Sequence, residues 1–157
     1  IEHSLGLWGL QFLIASLCVT PMRRAGLNLI RFRRALGVLA AIYVGLHFLT
    51  WALLDMGLRW DEILRDLYKR PYIILGMVGL LCLIPLAATS TNRAIRRMGP
   101  VAWRRLHRFS YVAAVAGALH FVILVKGWQV QPLLYGASVI ILLGLRVVWQ
   151  RPVATRA

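Results

Sequence analysis

Apolar and polar positions follow one another along this chain in long blocks rather than in short periods. Five apolar runs stand out: Leu5–Met22, Ala35–Gly57, Pro71–Ser90, Phe109–Gly127 and Pro132–Gln150. Each approaches the roughly 20 residues that a helix needs to cross a bilayer, within a range of about 17–25. The runs are apolar all round, as expected of helices that meet lipid on one side and protein on the other. A membrane barrel would show short alternating strands instead. The pattern therefore predicts an all-α, polytopic transmembrane bundle of five helices, forming one domain over residues 1–157. Pro21, Pro71 and Pro132 fall at or near run ends, where a missing N–H matters least. Pro85 lies inside the third run and predicts a kink or loosening of its last turns. Most of the six tryptophans sit near run ends, as an interfacial belt would place them.

The polar connections give an orientation. Between the first and second runs lie Arg23, Arg24, Arg31, Arg33 and Arg34, with no acid. Between the third and fourth lie Arg93, Arg96, Arg97, Arg104, Arg105 and Arg108, again with no acid. The C-terminal end adds Arg146, Arg151 and Arg156, making 14 positive charges on one side. The other side carries Arg59, Arg65, Lys69, Arg70 and Lys126 against Glu2, Asp55, Asp61, Glu62 and Asp66, a net charge of zero. The positive-inside rule then places the arginine-rich loops and the C-terminus in the cytoplasm. Arg146, in the last turns of the fifth run, is expected to snorkel toward that surface. The chain begins at Ile1, with the first run following almost at once. That predicts an upstream segment, another helix, giving six in the full-length protein. A cleaved signal peptide does not fit, because the run is too long and lacks a charged start and a cleavage site.

Composition agrees. The 157 residues are 60% apolar and 15% charged, with a net charge of +14. Such a charge alone would suggest a nucleic-acid binder, but the apolar content excludes that reading as well as disorder. The arginines read mainly as a topology signal and as contacts to anionic membrane lipid.

Ionisable groups inside a membrane are costly and are functional candidates. Here they are histidines. His47 lies twelve residues into the second run and His120 eleven residues into the fourth. At about 1.5 Å per residue both stand roughly 16–18 Å from the arginine-rich end. Two imidazoles at one depth on two helices can ligate a haem iron from opposite faces, an arrangement that favours electron transfer. The alternative is that each histidine only hydrogen-bonds between helices. The matched depth, with no intramembrane carboxylate to suggest a proton path, favours haem.

His107 precedes His120 by 13 residues, about 20 Å along a helix and about 220° around it. It is a candidate ligand for a second haem at the arginine-rich end, or a polar histidine at a helix terminus. The matching position on the second run, 14 residues before His47, is Arg33, a candidate for a propionate contact. His3 sits at the outer edge, where it could approach the haem but reads more simply as a surface residue. Cys18 and Cys82 have no CxxC or zinc spacing and read as packing residues. Gly76, Gly79 and Gly117 allow close approach of a neighbouring helix or a flat macrocycle. Asp55 ends the second run and reads as solvated. There is no Walker loop, GxGxxG, Ser-His-Asp order or HExxH, so no hydrolase or nucleotide-enzyme chemistry is expected.

Several blocks resemble a known family in order: LHFLTWALL (46–54), KRPYIILG (69–76), AATSTNRA (87–94), WRRLHRFSYVAAVAGALH (103–120) and QPLLYG (131–136). With the opening IEHSLGLWGLQFLIASLCVTPM they resemble the MsrQ (YedZ) family over nearly the whole chain. This is the haem-binding membrane subunit of the bacterial periplasmic methionine sulfoxide reductase system, within the ferric reductase-like superfamily. The resemblance implies a six-helix protein of the bacterial inner membrane that binds haem b, as one group or two. It implies electrons drawn from the quinone pool or a cytoplasmic flavin reductase, with quinone and FMN as further cofactors. It also implies delivery to a periplasmic molybdopterin methionine sulfoxide reductase subunit that repairs oxidised proteins. By position His47 and His120 would be axial ligands of the outer haem, and His107 the third functional histidine. Arg33 stands where a fourth histidine occurs in NADPH oxidases. The chain itself is expected to do no substrate chemistry. The competing readings are a ferric- or oxygen-reducing haem domain and a cofactor-free transporter or assembly factor.

Overall fold

The computed structural model describes residues 2–126 and 128–150, and these are helical with no strand. The order is α1 (Glu2–Arg24), α2 (Ile30–Thr50), a single π turn (Trp51–Asp55), α3 (Trp60–Lys69), α4 (Pro71–Ala88), α5 (Asn92–Leu106), α6 (Phe109–Leu124) and α7 (Val130–Gln150). The expectation of an all-α polytopic bundle holds. Four helices are long and apolar enough to span alone: α1, α2 with its π turn, α4 and α7. α5 and α6, bent from each other by 41°, meet the criterion only when taken together, as a fifth candidate span. Arg151 and Arg156 of the C-terminal charge cluster lie outside the described residues.

Local chemistry explains the boundaries. Pro71 opens α4, where its missing N–H costs nothing. The Thr91 hydroxyl caps α5 by accepting from the Ala94 N–H at 3.1 Å. Gly99 adopts φ 75° and ψ 154° just before Pro100, so α5 is two short helical pieces joined at a break. Pro85 lies inside α4, which is assigned as one helix and ends three residues later at Ala88.

The sequence pattern did not foresee α3 and α5, which lie in the connections. α3 buries Ile63 and leaves Trp60, Leu64 and Tyr68 exposed at four-residue spacing, among charged positions. α5 carries Arg93, Arg96, Arg97, Arg104 and Arg105, all exposed. Both are amphipathic segments suited to the headgroup layer.

The spans form two closely packed pairs, α1 with α2 and α4 with α6. Contacts between α2 and α4, and between α1 and α6, join the pairs, and α7 packs on α6 and α1. Small residues let the backbones approach, as membrane packing favours. A Cβ added at Gly9 would meet Val44 Cγ2 at 2.6 Å, so α1 and α2 touch there only because the residue is glycine. Leu13, Leu17, Ala40, Leu83, Ala113, Ala114, Ala118, Val139 and Leu142 form the core, with Cys18 and Cys82 packed against it as expected.

Arg146 corrects the snorkelling expectation. It is 8% exposed and turns inward. Its guanidinium donates to the Tyr111 hydroxyl at 2.6 Å, the Leu17 carbonyl at 3.0 Å and the Thr20 hydroxyl at 3.1 Å. The apolar exterior leaves the cation no nearer acceptor than these three, so it ties α7 to α1 and α6 instead of reaching for water.

Candidate functional site

A cavity of about 420 Å³ opens between the two helix pairs, at the end of the bundle away from the arginine-rich loops. His47 from α2 and His120 from α6 both line it. Their ring centroids are 6.2 Å apart and their planes cross at 76°. The matched depth counted along the sequence thus goes with two rings that line one space, their planes crossed.

Each ring is anchored by a backbone carbonyl of its partner helix. His47 Nδ1 lies 2.9 Å from the Glu2 carbonyl oxygen on α1, and His120 Nδ1 lies 2.6 Å from that of Tyr72 on α4. A carbonyl can only accept, so each Nδ1 carries the proton and donates. The lone pair is then on Nε2, the tautomer a metal-binding imidazole needs, fixed by the hydrogen bond on its other nitrogen. A transition metal bonds imidazole nitrogen at about 2.0–2.1 Å, so one ion held between two rings sets their centroids about 6 Å apart. The observed spacing fits. Among the described residues no group of three or more His, Cys, Asp or Glu could hold an ion. Two nitrogens alone are too few for a protein-only site. They suit the two axial positions of an iron whose remaining ligands come from a flat macrocycle.

The rest of the lining is mostly apolar, from Leu7, Leu10 and Leu13 through Leu80 and Leu83 to Phe121. Gly76, Gly79 and Gly117, expected to allow close approach, all line it, as does Gly6, for which no such role was expected. At the mouth stand Glu2, His3, Asp55, Arg70 and Tyr72. His3 is exposed, as expected of a surface residue, and it also lines the cavity, its ring centroid 5.5 Å from that of Phe121. Asp55 is exposed yet also lines the mouth. The wide π turn that begins four residues after His47 places Trp51 and Asp55 on the same cavity. Arg70 reaches the Tyr72 hydroxyl at 3.1 Å and Asp66 at 3.4 Å, and these partners, Tyr72 first, push its pKa up.

His107 is not part of this cavity. It caps α5, stacks on Trp103 at 3.8 Å and shares a 3.2 Å hydrogen bond between Nε2 and the Thr89 hydroxyl. Trp103 in turn donates to the Thr89 carbonyl at 2.9 Å. Arg33 and Arg34 lie in the first turns of α2. Arg34 donates to Asn92 at 2.8 Å, joining the two arginine-rich loops at one end of the molecule.

Residues 4–118 match the ferric reductase like transmembrane component family. That segment includes His47 and His107 and stops two residues short of His120. The chain is also 47% identical over 148 residues to the protein-methionine-sulfoxide reductase heme-binding subunit MsrQ of Brucella anthropi, covering 94% of this chain and 67% of that protein. It is 48% identical over 143 residues to the MsrQ proteins of Brucella melitensis and Brucella ovis, covering 90% of this chain and 64% of each relative. The chain belongs to the MsrQ family. It spans about two thirds of the length of these curated relatives. Within this MsrQ-family chain the matched region contains the first three spans, α5 and most of α6, so it covers both helix pairs that enclose the cavity.

Proposed function

We propose that this chain is a membrane b-type cytochrome, with His47 and His120 as the axial ligands of a haem in the cavity between the helix pairs. The observation that carries the reading is the pair of Nδ1-anchored imidazoles, one from each helix pair, that line one mostly apolar cavity. The residues fit the group that the relatives' name implies. A bound haem would supply one-electron transfer, with no bond made or broken in a substrate. The protein's part is to hold both imidazoles in the neutral Nδ1–H tautomer, exclude water with leucine, and position Arg70, Tyr72 and His3 at the mouth.

With the arginine-rich end in the cytoplasm, this haem lies toward the periplasm of a bacterial inner membrane. Electrons would arrive from quinol or a cytoplasmic flavin reductase, with quinone or FMN as an intermediate carrier. They would leave for a periplasmic molybdopterin methionine sulfoxide reductase. The names of the relatives support that destination. A second haem held by His107, with Arg33 near its propionates, is a further reading, favoured by the arginine-rich end of the chain to which both residues belong. It requires the His107 ring to leave Trp103 and Thr89. The ferric reductase-like match favours the alternative that a metal chelate is the acceptor.

The test is an absorption spectrum of purified protein, oxidised and then reduced, followed by reconstitution with the periplasmic reductase. A b-type spectrum whose reduced form is reoxidised by the reductase with methionine sulfoxide supports the proposal. A colourless protein refutes it. A reduced haem reoxidised by ferric chelate but not by the reductase transfers support to the alternative.

A further inference from the structure

The two histidines are seated in the same way on two unrelated stretches of sequence. A Cβ built on Gly6 of α1 would lie 3.2 Å from His47 Cε1 and Nδ1. A Cβ built on Gly76 of α4 would lie 3.0 Å from His120 Nδ1 and 3.2 Å from its Cε1. In each case the carbonyl that accepts from Nδ1 belongs to the residue four positions earlier, Glu2 before Gly6 and Tyr72 before Gly76. Four residues is about one helical turn, so glycine and carbonyl lie one above the other on one face. The ring rests on the bare glycine and reaches up one turn to the oxygen. Real Cβ atoms seldom approach other atoms as closely as these would, so a Cβ at either glycine requires the ring to give by a few tenths of an ångström.

We propose that Gly6 and Gly76 are positioning residues that set the direction of the axial imidazoles. Each glycine, with the carbonyl one turn before it, forms a cradle that fixes both which nitrogen faces the iron and the plane of the ring. This rests on the haem reading above. The cradles sit on different helices, so each plane is set independently, and the two settle at 76° to each other. The cavity's other glycines do not act this way. A Cβ at Gly79 or Gly117 meets its nearest protein atom at 3.7 or 3.6 Å, ordinary contact, and neither touches a histidine.

The test is electron paramagnetic resonance of the ferric protein, together with haem retention measured by transfer to apomyoglobin. Crossed imidazole planes give a highly anisotropic low-spin signal, which is the result expected of the unaltered protein. A signal typical of parallel planes overturns the proposal whether or not any variant folds. Gly6→Ala and Gly76→Ala should retain haem about 10–100-fold less tightly, the usual cost of disturbing a ligand's supporting contacts. Gly76→Ala should be the worse of the two. In the fraction that remains loaded, the largest g value should move, which a general loss of stability would not cause. Gly136→Ala, whose added Cβ meets only Val122 at 3.8 Å, should keep both properties. Folded Gly6→Ala and Gly76→Ala proteins with unchanged retention and g values overturn the cradle. If His47→Ala and His120→Ala lose haem in the same experiments, the haem reading survives that result. If those histidine variants keep haem, the ligand assignment itself has failed.

Discussion

His47 donates from Nδ1 to the carbonyl of Glu2 at 2.9 Å, which leaves the lone pair on Nε2 of a ring that lines the cavity it shares with His120. On the proposed reading, His47→Ala or His120→Ala removes one of two axial ligands and should abolish most of the haem absorbance while leaving helical content unchanged. Absorption and circular dichroism of the same sample check this. Full haem content in both variants would refute the assignment.

Orientation gives a second prediction. In a chain carrying Cys18→Ala and Cys82→Ala, a cysteine placed at Arg97 should react with a membrane-impermeant maleimide only after the cells are opened. One placed at Glu62 should react in cells whose inner membrane is intact. The reverse labelling pattern would invert the proposed direction of electron flow.

His107 packs against Trp103 and Thr89 outside the cavity. His107→Ala should therefore leave the spectrum assigned to the His47–His120 haem unchanged. Pyridine haemochrome quantification decides the second site. A haem-to-protein ratio that falls by one in this variant supports a haem at His107, and an unchanged ratio removes it.

Arg146→Ala should lower the midpoint of thermal unfolding in detergent. It deletes donors to Tyr111, Leu17 and Thr20 and opens space in the core. Hydrogen bonds from a charged donor contribute about 1.5–3 kcal/mol each. Relief from burying a cation with no acid beside it offsets part of this, leaving a net loss of about 1–3 kcal/mol. An unchanged or raised midpoint would show that the inward guanidinium contributes nothing.

What the sequence made legible follows from periodicity and counting. The spans show because an unbroken run of about 20 apolar residues matches the thickness of a bilayer and exceeds what a soluble core usually needs. The pairing of His47 with His120 shows because helical rise converts residue number into depth. α3 and α5 stayed hidden because ten to fifteen mixed residues between apolar runs resemble a loop until a membrane surface is supplied as the second solvent. The anchors at Glu2 and Tyr72 are main-chain carbonyls, which every residue possesses, so no residue type could announce them. Gly6 carried no more signal than any other glycine in an apolar run. The direction of Arg146 depends on where α1 and α6 stand, which a single helix does not encode.

The division into helix pairs bears on how the protein is put together. His47 finds its anchor on α1, its own partner in the first pair, and His120 finds its anchor on α4, its partner in the second. Each imidazole therefore has its anchor within its own pair. An iron bound to both would act as a rivet through the bundle, and loading the cofactor and closing the membrane domain would be one event. Packing between the pairs is thinner than packing within them, so an iron bound to both would add directly to what joins the halves.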